Sequence, residues 1–175
     1  MSLVRRIVLV LALACVFAPG ISVAVDREHQ VKTGFIFSIA KFCNWDFSKK
    51  PGNRFIVGVY RTRAYDLDID LLNGKSLFGR IVSVEQIKSE ADISNCQIAI
   101  IGDVGSDALR RYVTLCKSSG TLLIGESENF AGAGGTLGFV VKDGMVRFQV
   151  NLRTAQEDRV TFSSKLLVLA EQVFR

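Results

Sequence analysis

The sequence predicts a single three-layer α/β domain: a mostly parallel sheet, helices on both faces, and a C-terminal antiparallel β-hairpin. Three observations predict it. A short continuous apolar run, RFIVGVY at Arg54–Tyr60, has the composition of a strand buried on both faces, and shorter apolar runs such as QIAII at Gln97–Ile101 read as further strands. Between such runs lie stretches of helical periodicity, and that alternation argues for parallel strands joined by right-handed crossovers. Finally, Thr136–Val141 and Val146–Asn151 flank Lys142-Asp143-Gly144-Met145. Asp-Gly between apolar runs signals a hairpin, because both central residues of a type I′ turn need φ > 0.

In chain order, Arg5 and Arg6 form a basic n-region, Ile7–Phe17 an apolar h-region and Ser22-Val23-Ala24 a small-x-small cleavage site. Residues 1–24 are therefore read as a secretory signal peptide and 25–175 as the exported domain. Leu13-Ala14-Cys15 offers a rival lipoprotein site, but Ala12 stands where such signals prefer leucine. No later apolar run approaches the ~18 residues of a membrane span. Cleavage removes two of the 22 basic residues, leaving a net charge of +3 against 17 acidic ones. Without a Lys/Arg run, that balance does not argue for nucleic acid.

Asp26–Trp45 reads as a helix whose Val31, Phe35, Ile39 and Phe42 make an apolar stripe, with Ile36, Ala40 and Cys43 beside it. Ser48–Asn53 is a loop by composition. After the strand Arg54–Tyr60, Tyr65–Leu72 reads as a short helix closed by Asn73-Gly74. Arg80–Val84 is a strand, Val84–Asn95 a weakly helical connection, Gln97–Ile101 a strand, Ser106–Ser118 a helix and Thr121–Ile124 a strand. Beyond the hairpin, Leu152–Asp158 looks helical. A final helix opens at Thr161 or Ser163, with Leu166, Leu169, Ala170 and Val173 on one face.

If Asp143-Gly144 is the turn, Leu137 faces Val150, Phe139 faces Phe148 and Val141 faces Val146, all six on one sheet face. Arg147, Gln149 and Asn151 then share the other face. That face is either a solvated edge or a surface for another protein.

No catalytic set is evident. The one histidine, His29, sits near the exported N-terminus, and no G-x-S-x-G elbow is present. Asp66-Leu67-Asp68-Ile69-Asp70 fails as a calcium loop, since Leu71 and Leu77 occupy the sixth and twelfth positions. Three cysteines and a lone histidine lack zinc spacing, and no cofactor is expected. Gly132-Ala133-Gly134-Gly135 leads into a strand, so it is read as a flexible bend and not a dinucleotide fingerprint. In open α/β sheets ligands gather at the carboxyl ends of strands, which nominates Asp103, Glu126 and Ser127 as a small-ligand site. Cys43, Cys96 and Cys116 lie in the exported chain. Standard rises bring the helix after the third long strand back level with its start. The residues admit either a Cys96–Cys116 bridge or three separate buried thiols.

Several blocks together resemble the YfiR family. They are Lys32-x-x-Phe35 running to Lys41-Phe42-x-x-Trp45, Leu72-x-Gly74-Lys75-x-x-x-Gly79-Arg80, and Cys96-Gln97-Ile98. To these add Ile124-Gly125-Glu126-Ser127 with Phe130 and Gly134-Gly135, Arg147-Phe148-x-Val150-Asn151-x-x-x-Ala155, and Ser163-Ser164-Lys165-Leu166-Leu167. The resemblance implies a periplasmic regulator without enzymatic activity, usually dimeric. Such a protein restrains an inner-membrane diguanylate cyclase by binding its periplasmic part, and an OmpA-like outer-membrane lipoprotein sequesters it. It also implies that Gln149, Asn151 and Ala155 face the partner. Other members are expected to serve sensor histidine kinases, which leaves a small-ligand sensor acting with a kinase as the alternative. The sequence departs from redox-linked members, because Arg54–Tyr60 has no cysteine to pair with Cys96.

Overall fold

Alternation along the central strands decides the architecture. In β2 (Arg54–Tyr60), Phe55, Val57 and Val59 face one layer; in β5 (Ile98–Ile101), Ile98 and Ile100 do the same while Ala99 and Ile101 face the other. Both sets are buried, so both faces of the sheet are covered. The computed structural model describes residues 21–60 and 68–175. The leader reading and Cys15 lie outside them apart from Ile21–Ala24. Among the described residues no helix is long and apolar enough to cross a membrane.

Helix α1 (Ile21–Lys41) covers one face. It stops short of the expected end, because Cys43–Trp45 is a strand, β1, paired antiparallel with β9 (Val160–Phe162). Trp45 closes the helix by donating its Nε1–H to the Ala40 carbonyl at 2.9 Å and stands edge-on to Phe55, ring centroids 5.1 Å apart. The buried line of α1 is Lys32, Thr33, Ile36, Ile39 and Ala40, whereas Val31 and Phe42 are exposed. The stripe is thus rotated from the expected one, since the helix faces a sheet and not a single groove.

Beyond β2 the chain makes a 3₁₀ turn at Ile69–Leu72, ended by Asn73 and by Gly74 at φ +77°; the start of the helix expected there lies outside the described residues. β3 (Ser76–Leu77) and β4 (Arg80–Gln86) follow, then a 3₁₀ segment Glu90–Asn95, β5, α2 (Ser106–Cys116) and β6 (Leu122–Gly125). The remaining elements are β7 (Leu137–Lys142), β8 (Met145–Asn151), α3 (Leu152–Glu157), α4 (Ser164–Leu169) and β10 (Gln172–Phe174). The eight-stranded sheet runs β10-β8-β7-β6-β5-β2-β4-β3. β4, β2, β5, β6 and β7 are mutually parallel, and antiparallel pairs occur at β3–β4 and β7–β8. α2 covers the second face through Leu109, Tyr112 and Cys116.

The hairpin has the expected register, Leu137↔Val150, Phe139↔Phe148 and Val141↔Val146, with Asp143 at φ 52° and Gly144 at φ 70°. Leu137, Phe139, Phe148 and Val150 are buried under α1, whose Phe35 lies 6.4 Å from Phe139 and 5.9 Å from Phe148. Val141 is 54% exposed because the hairpin tip runs past the core. The expected final helix through Val173 does not form: α4 ends at Leu169, itself exposed, and residues 172–174 become β10, parallel to β8. The outer edge of β8 offers unpaired backbone groups, and pairing them outweighs helical periodicity. The hairpin is therefore interior to the sheet.

Candidate functional site

Unequal strand lengths create a cleft beside β7. β6 ends at Gly125, paired only as Ile124↔Leu137 and Gly125↔Gly138, while β7 continues to Lys142. From Phe139 onward β7 keeps β8 on one side and, among the described residues, no strand on the other. The chain leaving β6 turns through Glu126–Asn129, with Asn129 at φ 56°, and drives Phe130 into the core at 1% exposure. A Cβ at Gly125 would lie 2.2 Å from the Phe130 ring and one at Gly135 2.1 Å from it. The glycine-rich stretch is thus a packed turn, closed by Gly135 N–H to Phe130 O at 2.9 Å, and not the flexible bend expected.

The resulting cleft, about 570 Å³, is lined by Glu28 and Lys32 of α1, Glu126, Glu128 and Asn129 of the turn, Phe139, Val140 and Val141 of β7, and Gln149 of β8. Lys32 is 6% exposed, and its Nζ lies 2.7 Å from Glu28 Oε1 and 3.3 Å from Glu126 Oε1. A cation that buried needs partners, so these two carboxylates fix α1 against the turn. Three carboxylates against one lysine leave the cleft acidic. Gln149 donates Nε2–H to Gln172 Oε1 at 3.1 Å. Its Oε1 is buried and accepts no hydrogen bond from the described residues.

The expected site residues separate here. Glu126 and Gln149, nominated for different roles, line one cleft. Asp103 is exposed on the loop after β5, and Ser127 is half-buried, its carbonyl accepting from Phe130 N–H at 3.1 Å; neither lines the cleft. Asn151 and Ala155, expected to face a partner, are 6% and 2% exposed. Asn151 is instead the N-cap of α3: its Oδ1 accepts from Thr154 N–H at 3.0 Å and its Nδ2 donates to Ala131 O at 2.9 Å. Alternation does put it on the Gln149 face, but the turn after Phe130 covers that end of the strand. Cys43, Cys96 and Cys116 are buried free thiols, so the bridge admitted by spacing is not formed in this structure. Burial pushes Cys43 up to about 12 and Cys96 up to about 11, and raises Cys116 as well.

A second polar cluster lies at the amino ends of the strands. Lys50 Nζ donates to Thr121 Oγ1 at 2.7 Å and to the Cys96 carbonyl. Burial lowers Lys50 to about 8. Asp158, 1% exposed, accepts from Thr136 Oγ1 at 2.9 Å through Oδ2, while its Oδ1 has no partner among the described residues. Burial raises its carboxyl to about 7. Sequence reading missed Lys32, Lys50 and Asp158 as site-forming residues. Glu28 and Lys32 carry a local signal, their i,i+4 spacing; Lys50 and Asp158 are held by Thr121 and Thr136, 71 and 22 residues away, which no local pattern reveals. Among the described residues no group of three or more His, Cys, Asp or Glu is placed to hold a metal.

Residues 29–171, from the middle of α1 to the residue before β10, match the model of the YfiR/HmsC-like family. The chain belongs to the YfiR/HmsC-like family. No individual curated protein matches this YfiR/HmsC-like sequence. Among solved structures it is similar to an ABC domain in complex with L-Trp from Streptococcus pneumonia, with a TM-score of 0.51 and 12% identity. The similarity covers 84% of this chain and only 60% of the streptococcal one. At that identity the likeness is one of fold alone.

Proposed function

We propose that this YfiR/HmsC-like protein is a periplasmic regulator that restrains an inner-membrane signalling protein, a diguanylate cyclase, and so sets cyclic di-GMP output. Family membership over residues 29–171 carries the reading. The cleft supplies a surface suited to it, since Gln149, the unpaired stretch of β7 and three carboxylates are presented together. An extended basic segment of the cyclase's periplasmic part would find strand-edge backbone groups and acidic side chains there. In this reading Gln149 touches the partner, while Asn151 and Ala155 hold the turn and α3 that shape the cleft. An OmpA-like outer-membrane lipoprotein would compete for the protein, and the acting form would be a homodimer. Deleting the gene should raise cyclic di-GMP. Gln149→Lys should abolish binding to the purified periplasmic part of the cyclase with Tm unchanged. An unaltered cyclic di-GMP level in the deletion strain would eliminate the cyclase as target and leave a sensor kinase in its place.

A second reading is favoured by one observation. The structurally similar streptococcal domain is described with L-Trp bound, and the cleft here has room for an amino acid, with Glu126 and Glu128 available to an ammonium group. Ligand in the cleft would then sit against Gln149 and alter partner binding. Thermal-shift screening with amino acids and nucleotides tests this through stabilisation by RT ln(1 + [L]/Kd). No response across those classes would remove the small-ligand reading, as would a response unaffected by Glu126→Gln.

A further inference from the structure

The opposite end of the central strands carries a pocket of reversed charge. It measures about 490 Å³ and lies at the amino ends of β2, β5 and β6, where the loop before β2 closes over the starts of the other two strands. Lys49, Lys50 and Arg54 line it together with Asn53, Gln97 and Ser119, and no acidic side chain does.

The cationic groups are positioned, not loosely displayed. Two of the three N–H groups of Lys50 go to Thr121 Oγ1 and the Cys96 carbonyl, leaving one for a ligand. Arg80 reaches across to donate to Lys50 O at 3.1 Å and lies over the Phe47 ring at 4.1 Å, which pins the loop bearing Lys49 and Lys50. Gln97 is 3% exposed, and its Oε1 accepts from Ile56 N–H at 2.6 Å. Its remaining polar group is therefore the NH₂ donor. Arg54 pairs with Glu85 and donates to Ser83 Oγ at 2.6 Å, and a guanidinium has five N–H groups to distribute. Cations and donors converge, and the Gln97 side-chain oxygen and the Lys50 carbonyl are already occupied.

We propose that this pocket binds a small molecule through a tetrahedral oxyanion, a phosphoryl or sulfuryl group, held by Lys49, Lys50 and Arg54. Charge-assisted hydrogen bonds from lysine and arginine to such oxygens are among the strongest side-chain contacts available, and the volume exceeds that of the oxyanion alone. The site is separate from the acidic cleft at the carboxyl ends, so it stands whether or not the regulatory reading holds.

Inorganic sulfate is the first probe, because it stays dianionic from pH 6 to 10. Equilibrium dialysis of the full chain with radiolabelled sulfate in chloride buffer should show one saturable site. Lys49→Gln and Arg54→Gln, at exposed positions that leave the core untouched, should each weaken it about tenfold, as expected for loss of one charged hydrogen bond. Lys50→Met should abolish it, and if that variant folds poorly the double Lys49→Gln/Arg54→Gln variant carries the test. Lys50, which faces Cys96, Cys116 and Asp158, sheds its charge above about 8. Sulfate affinity should accordingly fall between pH 7 and 9.5, and should still fall in Asp158→Asn, which removes the other group titrating nearby. Inorganic phosphate and a sugar phosphate then distinguish a free anion from a phosphorylated metabolite. Binding that never saturates, or that is equal in the native protein and the double variant, overturns the assignment.

Discussion

Asp158 makes the stability of this domain depend on pH in the direction opposite to most carboxylates. The group is 1% exposed, Thr136 is its side-chain donor among the described residues, and burial raises it from 3.8 to about 7. Raised in the folded state, it binds its proton more tightly there than in the unfolded chain. Its contribution is fully present below about pH 4 and is lost as pH rises through about 7. A shift of that size, at about 1.4 kcal/mol per pH unit, means about 3 kcal/mol of stability lost between pH 4.5 and 7.5. At about 2–4 °C per kcal/mol for a domain of this length, Tm should drop by about 10 °C from this group. Asp158→Asn keeps the shape and the acceptor for Thr136 but cannot ionise. Urea denaturation of both proteins at the two pH values isolates the effect, since every other titrating group is common to them. The variant should gain about 3 kcal/mol relative to the native protein on going from pH 4.5 to 7.5. If the difference between the two proteins is the same at both pH values, the carboxyl is not held protonated by burial and the reasoning fails.

Other outcomes follow from particular contacts. Gly135→Ala should cost about 1–3 kcal/mol by overpacking, since its Cβ would meet the Phe130 ring at 2.1 Å; adding Phe130→Leu should recover part of that loss, and a strictly additive double variant in denaturant titrations would refute the contact. Asn151→Ala should destabilise by about 2 kcal/mol, combining a lost N-cap with an unsatisfied Ala131 carbonyl, so any loss of regulation should track Tm, unlike that of Gln149→Lys. Gly58→Ala should cost about 1–3 kcal/mol by overpacking, since its Cβ would lie 2.3 Å from Cys96 Sγ and 2.6 Å from Ile87 Cδ1. An unchanged midpoint in urea titration would refute that close approach.

Local patterning determined the sheet's centre and the hairpin. β2 was legible because RFIVGVY is apolar on both alternations, and the register of β7 and β8 followed from Asp143-Gly144 because a two-residue turn leaves one pairing that buries Phe139 and Phe148 together. The polar blocks at Glu126 and Gln149 were also readable as candidates, though not as neighbours.

What the tertiary structure alone decided concerns groups whose state depends on distant chain. Cys43–Trp45 and Gln172–Phe174 carry helical spacing but pair as strands with Val160–Phe162 and β8, because unpaired backbone edges outweigh a weak local preference. Asn151 looks like a surface amide until the turn after Phe130 covers it, and Lys50 looks like a loop lysine until Thr121 and Cys96 enclose it. Periodicity reports which face a side chain takes. Which faces water, and with what charge beside it, is settled by elements that fold over it from elsewhere in the chain.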